Sequence, residues 1–184
     1  DIITFNDDEE PNKLNLDKVK NLKPAFNSKG TITAANASSL SDGAAGLLVM
    51  SHEKAQALNQ TVLVEIVAHT SFAHSPKYFT TAPIGAIKKV LKKAKYSLAD
   101  IDLFEINEAF SSVAITTIDE LDLDVSRVNI HGGAVALGHP IGASGARILV
   151  TLINALKINN LKVGLAVLCI GGGEAVAMIV RRPS

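Results

Sequence analysis

The chain has a single cysteine, two tyrosines and no tryptophan among 184 residues. Because Cys169 has no second thiol to pair with, the composition excludes an internal disulfide scaffold and a clustered thiolate zinc site. Aromatic residues make up only 4% of the chain, which argues against a surface that stacks nucleic-acid bases. A lone thiol fits a reducing compartment, so we expect an intracellular protein.

The sequence also lacks net charge and long apolar runs. Eighteen basic and eighteen acidic residues cancel, so no overall field attracts nucleic acid or an anionic membrane. No apolar run reaches the roughly 18 residues of a membrane-spanning helix, and the start, Asp1 to Glu10, is acidic rather than leader-like. We therefore predict a protein that binds neither nucleic acid nor membrane.

The composition that remains is globular, with 47% hydrophobic and 20% charged residues. Residues 1–40 are polar and interrupted by proline and glycine, whereas an apolar character begins near Gly43. We predict that residues 1–40 and 41–184 belong to different parts of the molecule. A length of 184 residues is enough for a domain with a real core.

Runs of strand length alternate with helical patterns after residue 41. Helices are predicted at 84–94, 108–121 and 144–156, with a short one opening at Ser51. Strands are predicted at 44–50, 62–68, 104–106, 128–130, 163–169 and 175–180. This alternation, ending in a strand pair, predicts an α/β domain with a mixed, mostly buried sheet and helices on both faces.

Three segments place polar or flexible residues at the ends of apolar elements, where α/β proteins build their sites. They are Asn107 to Phe110, Asn129 to Gly145 and Cys169 to Gly173. Each has a purely structural explanation when taken alone. Asn107 would cap a helix that starts at Glu108, His139 would be a turn residue, and Cys169 would be a small core residue.

Common site motifs are not found in these segments. No Lys-Ser or Lys-Thr pair follows Gly138 or Gly145, as a phosphate-binding loop requires. Gly173 leads into a predicted strand and not into the helix of a dinucleotide fingerprint. The sequence contains neither a His-Glu-x-x-His nor a Cys-x-x-Cys motif, so no metal site is expected.

In this order, however, the three segments resemble the thiolase family. The motifs that carry the resemblance are Asn107-Glu108-Ala109-Phe110, Asn129-Ile130-His131-Gly132-Gly133, Gly138-His139-Pro140-Ile141-Gly142-Ala143-Ser144-Gly145 and Cys169-Ile170-Gly171-Gly172-Gly173. Residues 22–26 and 31–38 resemble the end of the family's loop domain, which covers coenzyme A. The resemblance implies a thiolase fold, with residues 1–40 ending the loop domain and residues 41–184 forming the C-terminal thiolase domain.

The resemblance also implies a reaction and a set of roles. Two acetyl-CoA molecules would condense to acetoacetyl-CoA and CoA, or the reverse thiolysis would occur, through an acyl-cysteine carried by an N-terminal half outside this chain. His139 would activate that cysteine and Cys169 would act as acid/base on the acetyl methyl group. Asn107 would orient a water of one oxyanion hole, and the Gly171 N–H would serve the second. Contacts with coenzyme A or its acyl group would come from Phe26, Ala34, Ser38, Phe79, Ala109 and Phe110.

Two other functions stay open at this point: a 3-ketoacyl-CoA thiolase of fatty-acid β-oxidation, and a non-catalytic fragment or complementing subunit. Coenzyme A thioesters are expected as substrates, with no separate cofactor. The resemblance implies a homodimer or homotetramer of the full enzyme, in the cytoplasm or the mitochondrion. Because its one thiol takes the acid/base role, this chain alone is predicted to be inactive.

Overall fold

The computed structural model of this chain describes residue 4, residues 6–8 and residues 14–183. Most of the acidic start from Asp1 to Glu10 lies outside these residues. The helices are α1 (Leu16–Val19), α2 (His52–Ala57), α3 (Ala82–Ala94), α4 (Ser111–Leu121), α5 (Ala134–Leu137) and α6 (Ser144–Ile158). The strands are β1 (Glu65–Ala73), β2 (Leu103–Ile106), β3 (Val163–Ile170) and β4 (Glu174–Arg181), and short 3-10 turns lie at Pro76–Thr81, Leu98–Asp100 and Val125–Arg127.

The described strands form one mixed sheet in the order β1-β4-β3-β2. β2 runs parallel to β3, whereas β4 is antiparallel to both β3 and β1. All four residues of β2 are buried, as expected for a strand that is covered on both faces. The sheet confirms the predicted α/β class.

Helices cover both faces of the sheet, and the alternation of side chains along the strands explains why. One face of β3 and β4, with Leu165, Val167 and Ile179, joins the buried side of α3 in a single core cluster. The opposite face, with Ala166 and Val180, packs with the apolar stripe of α6, formed by Ile148, Leu152 and Leu156. Within the described residues, no helix is long and apolar enough to cross a membrane.

The segment that precedes the domain lies across the ends of two elements. Ala37 forms an antiparallel bridge with Phe110, and Leu40 forms a parallel bridge with His139. The Ser111 N–H donates to the Asn36 carbonyl at 2.9 Å. These contacts join residues 36–40 to two of the three motif segments.

The prediction of a strand at residues 44–50 is wrong. The segment has no regular secondary structure and pairs with no strand among the described residues, and Leu48 and Val49 are 82% and 69% exposed. The apolar run was correctly recognised, but a strand needs a backbone partner, which the described chain does not provide. The predicted strand at residues 128–130 is likewise reduced to one bridge, between Val128 and Phe104.

The helix predicted from Glu108 begins at Ser111 instead. Phe110 has extended dihedral angles (φ −140°, ψ 153°) because it pairs with Ala37. The segment from Asn107 to Phe110 is therefore held outside the helix. Asn107 is not the helix cap, and its side chain is available for another role.

Candidate active site

Asn107 and Cys169 lie at the same edge of the sheet, because β2 and β3 are parallel. The Asn107 N–H donates to the Val167 carbonyl at 3.0 Å, and Cys169 follows two residues later on the same strand. Asn107 is 0% exposed and Cys169 is 8% exposed. The carboxyl ends of β2 and β3 thus bring the Asn107 amide and the Cys169 thiol to one edge of the sheet, where α/β sheets bind ligands.

His139 reaches this edge from a loop between α5 and α6. The loop turns at Gly138, whose φ of +90° favours glycine, and a Cβ there would overlap the Ser41 side chain. The His139 N–H donates to the Ser39 carbonyl at 2.9 Å. Held in this way, the imidazole has its Nε2 atom 3.4 Å from Nδ2 of Asn107.

The hydrogen bonds of Ser144 determine which nitrogen of His139 carries the proton. The Ser144 hydroxyl, buried at the start of α6, donates to the Pro140 carbonyl at 3.0 Å. Its only proton is thereby used, so it accepts from Nδ1–H of His139 at 2.5 Å. Nε2 then presents a lone pair toward Asn107, which is the tautomer that a general base needs.

The surroundings of His139 keep it neutral. Burial lowers the pKa of the imidazole, and the nearby positive charge of Arg147 lowers it further. A smaller fraction of the His139 imidazole is therefore protonated near neutral pH than of an exposed histidine. A neutral imidazole whose Nε2 carries no proton is suited to act as a general base.

Asn107 leaves one polar atom without a partner. Its Nδ2 faces His139, whereas its buried Oδ1 has no hydrogen-bond partner among the described residues. A buried carbonyl oxygen in this state costs about 1–3 kcal/mol. Such a cost concentrates at functional sites, where a donor from a substrate or a bound water completes the geometry.

Cys169 is held mainly as a thiol. Burial raises the pKa of the Cys169 thiol, and a backbone hydrogen bond only partly opposes this. Burial therefore outweighs the hydrogen bonding that would favour the thiolate. Gly171, in the following turn, has no atom within 4 Å of the position of a Cβ, so this side of the turn faces open space.

The predicted coenzyme A contacts fall largely into one cluster. The Phe110 ring lies 6.0 Å from that of Phe26 and 6.3 Å from that of Phe79, both in edge arrangements. The Ser38 hydroxyl donates to the Ala109 carbonyl at 2.9 Å. Ala34 lies apart from this cluster as an exposed turn residue. The structure thus brings five of these six predicted residues together.

Sequence reasoning overlooked the side chains that hold the catalytic segments. The sequence pattern marks Ser144 only as the first residue of a predicted helix. Glu108 accepts the Val135 N–H at 3.1 Å and so caps α5, and a Cβ at Gly133 would overlap its carboxylate. Asn129 clamps Ile106 by accepting from its N–H at 2.8 Å and donating to its carbonyl at 2.9 Å. No local pattern signals the contacts of Glu108 and Asn129, because their partners are 27 and 23 residues away in the sequence.

A separate cavity of about 760 Å³ lies beside α3 and β1 and contains none of the predicted site residues. Its lining includes lysines of α3. Lys89 and Lys93 donate to the carbonyls of Ser71 and His69 at 2.8 and 3.0 Å. These lysines therefore cover the free edge of β1, as charged side chains often do at sheet edges.

Comparison with family models gives two matches. The model described as "Thiolase, C-terminal domain" matches residues 60–182, and "Thiolase, N-terminal domain" matches residues 1–53. The proposed boundary between residues 40 and 41 stays a prediction.

Curated relatives and solved structures agree with these matches. An acetyl-CoA acetyltransferase of Yarrowia lipolytica is 50% identical over 99% of this chain and 45% of its own length, and a probable acetyl-CoA acetyltransferase of Dictyostelium discoideum is 48% identical over 96% and 42%. The acetyl-CoA acetyltransferase of Bacillus anthracis superimposes with a TM-score of 0.89 at 46% identity, over 93% of this chain and 43% of that one. Human mitochondrial 3-ketoacyl-CoA thiolase in complex with CoA gives 0.86 at 36% identity, over 94% and 44%. The chain spans less than half the length of each of these relatives.

Proposed function

This chain belongs to the thiolase family, and we propose on that premise that it supplies the acid/base and oxyanion-binding residues of an acetyl-CoA C-acetyltransferase. The reaction condenses two acetyl-CoA molecules to acetoacetyl-CoA and CoA, or runs in reverse as thiolysis. The acyl group is carried by a cysteine from residues outside these 184, because the one thiol of this chain takes the acid/base role.

The contact between His139 and Asn107 carries the proposal. The lone pair on Nε2 of His139 accepts the proton of the nucleophilic thiol, so that the thiolate can attack the thioester or ketone carbon. The same nitrogen and an Asn107-bound water then stabilise the negative oxygen that develops. The unpartnered Oδ1 of Asn107 supports this role, since it can accept a hydrogen bond from that water.

Cys169 acts as the acid in cleavage. Its thiol, which burial keeps protonated, transfers a proton to the carbon of the departing acetyl-CoA enolate and leaves a thiolate. In synthesis that thiolate takes a proton from the acetyl methyl group and becomes a thiol again. The N–H of Gly171, two residues after Cys169, donates to the thioester oxygen of the reacting acyl group.

Coenzyme A thioesters are proposed to bind beside the aromatic cluster of Phe26, Phe79 and Phe110. Phe26 is 77% exposed, a high value for a phenylalanine, and it lies against Phe110 directly after the catalytic segment. An apolar acyl or pantetheine arm covering this ring would remove it from water. Solved relatives that hold coenzyme A support the substrate class.

Acetyl-CoA is favoured as the acyl substrate because relatives named acetyl-CoA acetyltransferase reach 48–50% identity, against 36% for the human 3-ketoacyl-CoA thiolase. The degradative thiolase is retained as an alternative because its TM-score, 0.86, is nearly as high as that of the acetyltransferase. Its activity would differ in acyl chain length. The oligomer proposed for the complete enzyme is a homodimer or a homotetramer.

The test compares the 184-residue chain alone, the chain combined with the N-terminal half of the fold, and the longer protein, all assayed for CoA-dependent cleavage of acetoacetyl-CoA and of a longer 3-ketoacyl-CoA. We expect no turnover by the chain alone, turnover of acetoacetyl-CoA by the other two, and its loss in His139→Gln. Intact mass after brief exposure to substrate identifies the acylated polypeptide. Acylation of Cys169 would refute its acid/base role, and inactivity of every combination would favour a non-catalytic chain.

A further inference from the structure

An ion pair between a buried glutamate and a partly buried arginine lies near the proposed site and has no role in the chemistry described so far. Glu105 of β2 is 2% exposed, and Arg147 of α6 has a side chain that is 19% exposed. Their closest charged atoms, Oε2 and Nη1, are 3.8 Å apart. Glutamate and arginine are rarely buried to this degree unless they are paired.

The pair connects the two elements whose residues contact His139. Arg147 lies three residues after Ser144 on α6, and Ser144 binds the Nδ1 side of the imidazole at 2.5 Å. Glu105 lies two residues before Asn107, which directly follows β2 and donates its N–H to Val167 of β3. Asn107 approaches the Nε2 side at 3.4 Å. The Glu105–Arg147 pair therefore joins the two elements that hold opposite sides of the imidazole.

The geometry of the pair is poor for stability alone. A separation of 3.8 Å is too long for a hydrogen bond, and the Nε and Nη1 atoms of Arg147 are buried with no hydrogen-bond partner among the described residues. Buried pairs with incomplete hydrogen bonding are often no more stable than apolar side chains of similar volume. The cation is thus incompletely neutralised, and its field extends to the neighbouring imidazole.

We propose that Glu105 and Arg147 are a positioning pair for the His139 base: they join the strand that carries Asn107 to the helix that carries Ser144, and they hold a cation where it disfavours protonation of the imidazole. This inference rests on the proposed function only in calling His139 the base. The position of the pair and its effect on the titration of His139 can be measured without turnover.

The charges around the pair act in the direction that this role requires. Burial lowers the pKa of His139, and the Arg147 cation lowers it further. Burial raises the pKa of Glu105 to about 7, with Arg147 opposing the rise and Glu108 adding to it. Below this raised pKa, Glu105 is protonated and no longer compensates the charge of Arg147. Arg147 then remains charged and less compensated, which further protects the neutral imidazole.

The experiment follows the titration of His139 by NMR of ¹³C-labelled histidine, in the same preparation that is assayed with acetoacetyl-CoA. The signal is identified by its loss in His139→Gln. Glu105→Gln keeps the cation, whereas the double variant Glu105→Gln/Arg147→Gln removes it and leaves two amides, so that no buried charge is unpaired. We expect the His139 midpoint in the double variant to lie above that in Glu105→Gln, because the cation that disfavours the protonated imidazole has been removed.

A matched control is provided by the exposed pair of Glu65 and Arg181, whose charged atoms are 3.0 Å apart. The variant Glu65→Gln/Arg181→Gln should leave the His139 midpoint unchanged. Equal midpoints in Glu105→Gln and in the double variant would overturn the proposal, as would an equal shift in the control. A shifted midpoint in a preparation without thiolase activity would support the pair and reject the proposed function, whereas activity with an unshifted midpoint would do the reverse.

Discussion

Replacing Glu105 by glutamine should change how the stability of the fold depends on pH. The pKa of Glu105 is raised from 4.5 to about 7 in the folded chain, so the folded state holds a proton that the unfolded state has already released. The free energy of unfolding therefore decreases as the pH rises from the pKa of Glu105 in the unfolded chain through its pKa in the folded chain. The rise of about 2.5 units corresponds to about 3 kcal/mol at ~1.36 kcal/mol per unit.

Urea unfolding followed by far-ultraviolet circular dichroism measures this effect, and the method suits a chain without tryptophan. The unfolding free energy of the wild-type chain, relative to that of Glu105→Gln, should fall by about 2.5 kcal/mol between about pH 5 and about pH 8. The exposed Glu120 provides a control, because Glu120→Gln removes a carboxylate from the surface. A difference that is independent of pH, or that grows with pH, would refute the assignment of a raised pKa to Glu105.

Three further changes test the framework of the site. Ser144→Ala removes the acceptor for Nδ1–H of His139, and kcat of the active preparation should fall by roughly 10- to 100-fold with little change in KM. Glu108→Ala removes the side-chain cap of the short helix that precedes His139, so it should lower the free energy of unfolding by about 1 kcal/mol and should also lower kcat. Glu108→Gln keeps an acceptor oxygen and should retain most of the stability and most of kcat. Gly173→Ala places a methyl group 2.5 Å from a main-chain oxygen at a φ of +91°. It should lower the free energy of unfolding, measured by thermal denaturation, by about 1–3 kcal/mol. The control Gly46→Ala places its methyl group in open space and should leave stability unchanged, and equal effects of the two variants would contradict the strain at Gly173.

The regular core could be predicted from the sequence because its signals are local. The helix at Ser144–Ile158 and the strands at Val163–Ile170 and Glu174–Arg181 begin and end within three residues of their predicted bounds. Their apolar spacing, glycine punctuation and β-branched content all indicate the same structure. The mixed sheet follows, since a terminal strand pair joined by three glycines can only run antiparallel.

The arrangement of the site could be predicted only in part, because its contacts are not local. The segment at 44–50 has the composition of a strand, but strand formation depends on a partner that composition does not reveal. The start of α4 was placed too early because the bridge from Ala37 to Phe110 overrides the helical pattern. Glu105 and Arg147 form no motif at all, since a buried charge is recognised only when its depth is known.

The buried polar atoms that have no hydrogen-bond partner lie close to His139, and they support the proposal of a catalytic site there more strongly than the sequence motifs alone do. The buried side-chain atoms without hydrogen-bond partners in the described chain belong to Asn107 and Arg147, and both residues border His139 through a contact or a charge. A fold selected only for stability would remove such groups, since each costs about 1–3 kcal/mol. Their concentration around one imidazole is what the proposed proton transfer at His139 would require. A turn with only a structural role would need neither the unpartnered amide oxygen of Asn107 nor the unpartnered nitrogen atoms of Arg147.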